Sequence, residues 1–215
     1  MRKSPFVVGE YYHIYNRGVD KREVFANNND YVRFLKNLRE FNSKFIREER
    51  ARLTEFDSDS DSESESNSGE RLVDIIAYCL NPNHYHLILK QISEKGIEKF
   101  MQKVGTGYTN YFNIKNKRSG ALFQGKFKSV HIDSDDYLLY LSAYINENNF
   151  IHGYGKRGNW KYASLWEYLG KTNQEICNKK IILDQFRNIN DYKEFLDKNA
   201  TYLKEKKELN RYLLE

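Results

Sequence analysis

An α+β fold is predicted here, a ferredoxin-like split βαβ layer with helices on a mostly antiparallel sheet, and three observations predict it. Strand-like and helix-like patterns follow one another as strand, helix, strand pair, helix, strand between residues 9 and 132, the order of that split unit. The two central strand-like runs are separated only by Asn81-Pro82-Asn83, a connection short enough for an antiparallel hairpin. A further capped helix and a helical pattern beyond residue 155 then add a helical C-terminal extension.

The first strand is read over Gly9 to Tyr15 (GEYYHIY), with Asn16-Arg17-Gly18 as a turn after it. A helix opens near Asn29 or Asp30, either of which can cap it, and places Tyr31, Phe34, Leu35, Leu38, Phe41 and Phe45 at helical spacing. From about residue 51 to 71 the pattern gives way to an acidic, serine-rich run that cannot bury enough apolar surface to offset its ordering entropy. A disordered insertion in a loop is expected there. Leu72 to Leu80 is apolar and β-branched enough for a central strand, and His84 to Lys90 (HYHLILK) forms its hairpin partner.

Residues 96 to 114 have helical spacing, interrupted by Gly105 and Gly107, which lower helix propensity or mark a close approach of another backbone. Lys126 to Ile132 alternates as a last strand. Asp133 or Ser134 then caps a helix running from Tyr137 to about Asn149, with Asp135 and Asp136 at its positive end. Beyond it, Tyr192, Phe195, Leu196, Tyr202 and Leu203 make a helical apolar stripe, with Trp160 and Trp166 as anchors. Two regions follow: residues 1–155 as a catalytic unit carrying the acidic insertion, and residues 156–215 as the helical extension.

At 215 residues the chain can form one substantial core, and 40% hydrophobic with 30% charged residues suits a soluble protein. No window is apolar enough to span a membrane. No secretory signal is recognisable at the start, so a cytoplasmic location is expected. Cys79 and Cys177 stand in no paired-thiol motif, which argues against a disulfide framework or a thiolate zinc site. The net charge is +5, but residues 55 to 70 hold seven acids and no base, so the rest of the chain carries +12. That surplus, with seventeen tyrosines, suits a polyanionic partner held by cationic side chains and aromatic stacking.

His84 and His86 are one residue apart in a strand, so both imidazoles project from the same face while Tyr85 points to the other. They can converge on one cation, and the same spacing also suits two ordinary strand histidines. His13, His131 and His152 have no comparable spacing and are read as structural. Tyr144 and Asn148, four residues apart, share a helix face. If that face meets the histidine strand, a phenol and an amide oxygen arrive at a site where a divalent ion keeps open positions for a phosphodiester. The phenol is then a candidate nucleophile. Tyr137, Tyr140 and Tyr144 would equally form a core-facing stripe.

Four stretches, YYHIYNRGVDKREVF from Tyr11, AYCLNPNHYHLIL from Ala77, SGALFQGKFKS from Ser119 and YLSAYINENNFIHG from Tyr140, together resemble the single-tyrosine HUH transposases of the insertion-sequence-200-like group. Within it they are close to the REP-associated tyrosine transposases. The family's histidine, hydrophobic residue, histidine motif falls on His84-Tyr85-His86, its nucleophile on Tyr144, and the polar residue that completes the metal site on Asn148. Asn148-Asn149 stands where relatives often carry asparagine and proline, and Tyr140 is the nucleophile of the competing registration.

The resemblance implies a metal-dependent single-strand DNA endonuclease and strand transferase, working through a 5′-phosphotyrosine with Mg²⁺ or Mn²⁺. It also implies single-stranded or hairpin DNA as partner and a monomer or homodimer. Arg17, Lys126 and Lys128, and Lys115, Lys117 and Arg118 in the KNKR run, are candidate phosphate contacts that would fix the register of the DNA without reading its sequence. Solvated surface charge is the alternative for each. A hairpin-binding protein of the same fold without strand transfer, and a zinc hydrolase unrelated to nucleic acid, are the competing functions.

Overall fold

A computed structural model of the chain describes residues 5–42 and 71–212. Four strands, β1 (Tyr11–Arg17), β2 (Val73–Asn81), β3 (His84–Gln91) and β4 (Lys128–Ile132), form one sheet in the order β2-β3-β1-β4. Each neighbouring pair is antiparallel. With helix α1 (Asn28–Glu40) between β1 and β2 and helix α2 (Gly96–Lys115) between β3 and β4, this is the ferredoxin-like arrangement the sequence predicts. The acidic insertion and Phe45 lie outside the described residues.

Because side chains alternate along a strand, the sheet buries two different faces. Tyr12 and Ile14 of β1 and Tyr85, Leu87 and Leu89 of β3 turn towards α1 and α2. There they pack with Phe34 and Leu38 of α1 and with Phe100, Val104 and Tyr108 of α2. On the opposite face Ile76, Ala77 and Cys79 of β2 and Ile88 of β3 meet helix α3 (Asp135–Asn146) through Leu138, Leu141 and Ile145. Alternation along β2 feeds both layers, and at the register shift between Ile75 and Ala77 the consecutive Ile76 and Ala77 fall in the same one.

Several boundaries differ from those read in the sequence, each for a local reason. Asn27 caps α1, its side chain accepting from the Asn29 and Asp30 amides, while the Asp30 carboxylate accepts from the Ala26 and Asn27 amides at 3.0 and 3.2 Å. Asp30 is therefore the first-turn partner of a capping box, three residues after the cap, and not the cap itself. Strand β1 runs through Arg17, because Arg17 pairs with His84 and its carbonyl accepts from the Gln124 amide. Helix α3 starts at Asp135, capped by the Ser134 hydroxyl, and breaks at Glu147. The chain resumes as a single turn, α4 (Asn148–Ile151).

Gly107 sits where α2 passes α1, and a Cβ there would stand 2.7 Å from the Phe41 ring. The close approach is to a side chain, not to another backbone. Past α4 the chain continues through the short helices α5 (Leu165–Tyr168) and α6 (Lys180–Leu183) to the long helix α7 (Ile189–Tyr212). Leu165, Tyr168, Ile182, Tyr192 and Leu196 from this segment complete the second apolar layer. Tyr202, expected in the buried stripe of α7, is 54% exposed. The Trp160 ring touches both layers, and its indole donates to the Leu80 carbonyl at 2.8 Å. Both cysteines are free, and no helix among the described residues is long and apolar enough to cross a membrane.

Candidate active site

The sheet register assembles the polar part of the second face as two cross-strand rows. Asn81, His84 and Arg17 stand side by side in one row, and Cys79, His86, Tyr15 and Lys128 in the next. Residues opposed across a ladder share a face, so both histidines of HYHLILK project to the same side together with Arg17 and Lys128. His84 and His86 are buried, with ring centroids 5.1 Å apart and planes nearly perpendicular.

Each imidazole is anchored through its Nδ1. His84 Nδ1 lies 2.6 Å from Asn83 Oδ1, an oxygen that can only accept. His84 Nδ1 therefore carries the hydrogen, and Nε2 presents a lone pair. His86 Nδ1 lies 2.8 Å from His13 Nε2. His13, read from the sequence as structural, orients His86 from the adjacent strand, as partners behind metal-binding histidines commonly do. Burial lowers the His13 and His84 pKa values to about 4 and holds His86 well below its ordinary range. All three rings are neutral at neutral pH, the form that ligates metals.

Helix α3 brings Tyr144 over this row, its ring centroid 5.8 Å from that of His86. Burial raises the Tyr144 pKa, and the Asn148 side chain acts in the opposite direction. One turn on, Asn148 is fully buried, and its Oδ1 accepts from Asn81 Nδ2 at 2.6 Å while its own Nδ2 has no hydrogen-bond partner. Asn81 Nδ2 also lies 3.1 Å from His84 Nε2. The Asn81 amide thus faces the two lone pairs, on His84 and Asn148, that a shared cation would use. A cation there requires Asn81 to turn away.

Among the described residues no group of three or more His, Cys, Asp or Glu side chains could hold a metal ion. Two imidazoles and one amide oxygen would offer a divalent ion only an open site, with water and substrate oxygens completing the coordination. It does not make a closed cage.

The other tyrosines sort by layer. Tyr140, the competing nucleophile, has its pKa raised by burial and then by Tyr202 of α7, and among the described residues the tyrosine of α3 whose ring meets His86 is Tyr144. Tyr108 donates to the Val24 carbonyl and Tyr111 to Asp30, both on the opposite side of the sheet. Tyr15 stacks on His86 at 5.8 Å, and alternation in GEYYHIY places it on the same strand face as His13. His152 was also missed. Its Nε2 lies 3.3 Å from the Tyr144 hydroxyl, and its ring is 5.4 Å from that of His84. A single histidine after the helix break carries no spacing signal.

Of the candidate cationic contacts, Arg17 and Lys128 flank the histidines, and Lys126 is exposed just before β4. The KNKR run lies instead at the end of α2, which covers the other face. There Lys115 pairs with the buried Asp30 at 2.5 Å, and Arg118 donates to Asn113 and Ala121. Lys117 is exposed.

Residues 64–148, which include His84, His86, Tyr144 and Asn148, match the family model described as transposase IS200 like. No curated protein matches the chain. Among solved structures, a REP-associated tyrosine transposase bound to a REP hairpin matches with a TM-score of 0.53 and 13% identity, over 82% of this chain and 88% of that one. The family model and the shared fold together bear out the resemblance read from the sequence, and the chain is similar to the IS200-like tyrosine transposases.

Proposed function

We propose that this chain is a metal-dependent enzyme that nicks and rejoins single-stranded DNA, with Tyr144 as nucleophile and His84, His86 and Asn148 as the metal site. The observation that carries the reading is the meeting of the Tyr144 ring with a buried pair of neutral imidazoles, on the face that also presents Arg17 and Lys128. A bound Mg²⁺ or Mn²⁺ would polarise the phosphodiester and offset charge in the transition state.

The protein groups do the rest. Arg17, Lys126 and Lys128 hold phosphates beside the histidine row, and Lys117 offers a more distant contact. The Tyr144 phenol gives its proton to water, and its oxygen forms a bond to phosphorus as the bond to the 3′ oxygen breaks. That oxygen leaves with the electron pair and takes a proton from water, giving a 5′-phosphotyrosine and a free 3′-hydroxyl. In the return step a DNA 3′-hydroxyl gives its proton to water as its oxygen bonds to phosphorus, and the Tyr144 oxygen leaves with the electron pair and takes a proton back from water. The bond energy is kept throughout, so no nucleotide cofactor is needed. The related solved transposase is bound to a hairpin, which supports single-stranded or hairpin DNA as the partner here. Residues 1–155 form the catalytic unit in this reading, residues 156–215 its helical extension, and the protein works in the cytoplasm as a monomer or homodimer.

The test is incubation with labelled single-stranded and hairpin oligonucleotides and Mn²⁺, resolved on denaturing gels. Wild type should form a covalent adduct and Tyr144→Phe none, although the variant stays folded because only one oxygen is removed. Hairpin binding without an adduct from wild type would favour a binding protein of the same fold.

A further inference from the structure

Helix α7 reaches the candidate nucleophile through one intermediary. Lys207 Nζ lies 2.9 Å from His152 Nδ1 and 3.3 Å from the Ile151 carbonyl, and His152 Nε2 in turn lies 3.3 Å from the Tyr144 hydroxyl. A lysine ammonium has three donors and no acceptor. The ring nitrogen facing it must therefore accept, which leaves the hydrogen of the neutral imidazole on Nε2. The nitrogen facing Tyr144 is then a donor and not a base.

We propose that His152 is a further catalytic residue, locked by Lys207 in the tautomer that donates from Nε2 to the Tyr144 oxygen. The proposal rests on Tyr144 being the nucleophile. His152 neither gains nor loses a proton in the reaction. Before attack its N–H stabilises the phenolate after the phenolic proton has passed to water. In the return step it donates to the Tyr144 oxygen as that oxygen leaves phosphorus with the electron pair of the broken bond and before water reprotonates it, as a preorganised donor does for a developing oxyanion. The 3.3 Å contact is at the long end of the hydrogen-bond range, and such bonds commonly tighten when substrate arrives. Lys207 is a positioning residue. It fixes which nitrogen carries the hydrogen, and its charge strengthens the donor through the ring.

Two measurements test this. The first needs no DNA: long-range proton–nitrogen spectra of the full chain labelled with ¹⁵N-histidine report which ring nitrogen of His152 is protonated. Wild type should show hydrogen on Nε2 alone, and Lys207→Met, a change at an exposed position, should show a mixture. Hydrogen on Nδ1 in wild type, or an unchanged spectrum in Lys207→Met, overturns the lock.

The second is single-turnover adduct formation on a saturating labelled hairpin oligonucleotide with Mn²⁺. His152→Ala should slow it about 10- to 100-fold, the range for losing one charge-assisted donor, with DNA affinity unchanged. His152→Gln, whose amide can place a donor near the same point, should recover most of the rate. An unchanged rate in His152→Ala, or equal losses in both variants, overturns the catalytic role. If wild type forms no adduct, the nucleophile assignment fails, while the nitrogen spectra still decide the hydrogen-bond lock.

Discussion

The two faces of one strand pair show how differently the same backbone can be used. Towards α1 and α2 the hairpin sends Tyr85, Leu87 and Leu89 into a closed apolar layer, where Phe34 packs against Phe25, Tyr85 and Tyr108. Towards α3 it sends His84 and His86 among Asn81, Asn148, His13 and Tyr144, and leaves one buried amide donor of Asn148 without a partner. The first face is mostly apolar surface removed from water, with Asp30 and Asn37 of α1 as its buried polar exceptions. The second keeps buried polar groups whose lone pairs converge, an arrangement that costs stability unless something else uses them. The contrast teaches that one face of the hairpin closes an apolar core, while the other gathers the polar side chains to which the proposed function assigns the chemistry.

The largest expected effect lies on the first face. Phe34→Ala should lower unfolding free energy in chemical denaturation by about 3–5 kcal/mol, as for other fully buried phenylalanines, while the folded fraction binds Mn²⁺ as before. A loss of metal affinity with little loss of stability would erase the division between the faces.

On the second face the effects should reverse. His86→Ala removes one of two imidazoles from an open site, so Mn²⁺ binding by calorimetry should vanish while the protein stays folded. His13→Ala removes only the partner that orients His86, and should weaken the ion by about 10- to 100-fold. Equal affinities in wild type and His86→Ala would contradict the shared site.

The histidine face also predicts an acid response. His13 and His84 have folded pKa values of about 4 against an ordinary 6.5, so on acidification the unfolded chain takes up protons first. Their neutral burial costs nothing above about pH 6.5, and stability is lost as pH falls from there to about 4. Replacing His13 by Phe should flatten that part of the stability profile. An unchanged profile would mean that His13 is not buried neutral.

The fold was legible because its signals are local. Alternation in HYHLILK, the Asn-Pro-Asn break and the helical stripe of Tyr31, Phe34, Leu35 and Leu38 each specify their own element, and the sheet order follows from packing them. The pairing of His84 with His86 was legible for the same reason, since period two is a property of the strand. What could not be read was contact between distant segments. His13 meets His86 across 73 positions, Asn81 meets Asn148 across 67, and Lys207 reaches His152 across 55. None leaves a spacing pattern, because only the register of the sheet and the fall of α7 across α4 bring them together. The KNKR run illustrates the converse: it reads as a free basic cluster, yet Lys115 is engaged by Asp30 and Arg118 by its own loop.

The smallest expected effect belongs to α2, on the structural side. A Cβ at Gly105 meets nothing within 4 Å, so Gly105→Ala should stabilise the protein by about 0.5–1 kcal/mol through helix propensity alone. Gly107→Ala should gain nothing, because its Cβ would stand 2.7 Å from the Phe41 ring. A destabilised Gly105→Ala in thermal denaturation would mean that α2 carries a contact at that position.

The most direct test of the central claim is to locate the covalent bond itself. Wild-type protein is reacted with a hairpin oligonucleotide and Mn²⁺, the adduct is digested with protease and nuclease, and the nucleotide-bearing peptide is sequenced by mass spectrometry. The account predicts the modification on Tyr144 alone, the tyrosine of α3 beside His86 and one turn before Asn148. A modification on Tyr15, which stacks on the same imidazole, or on Tyr140 would contradict it.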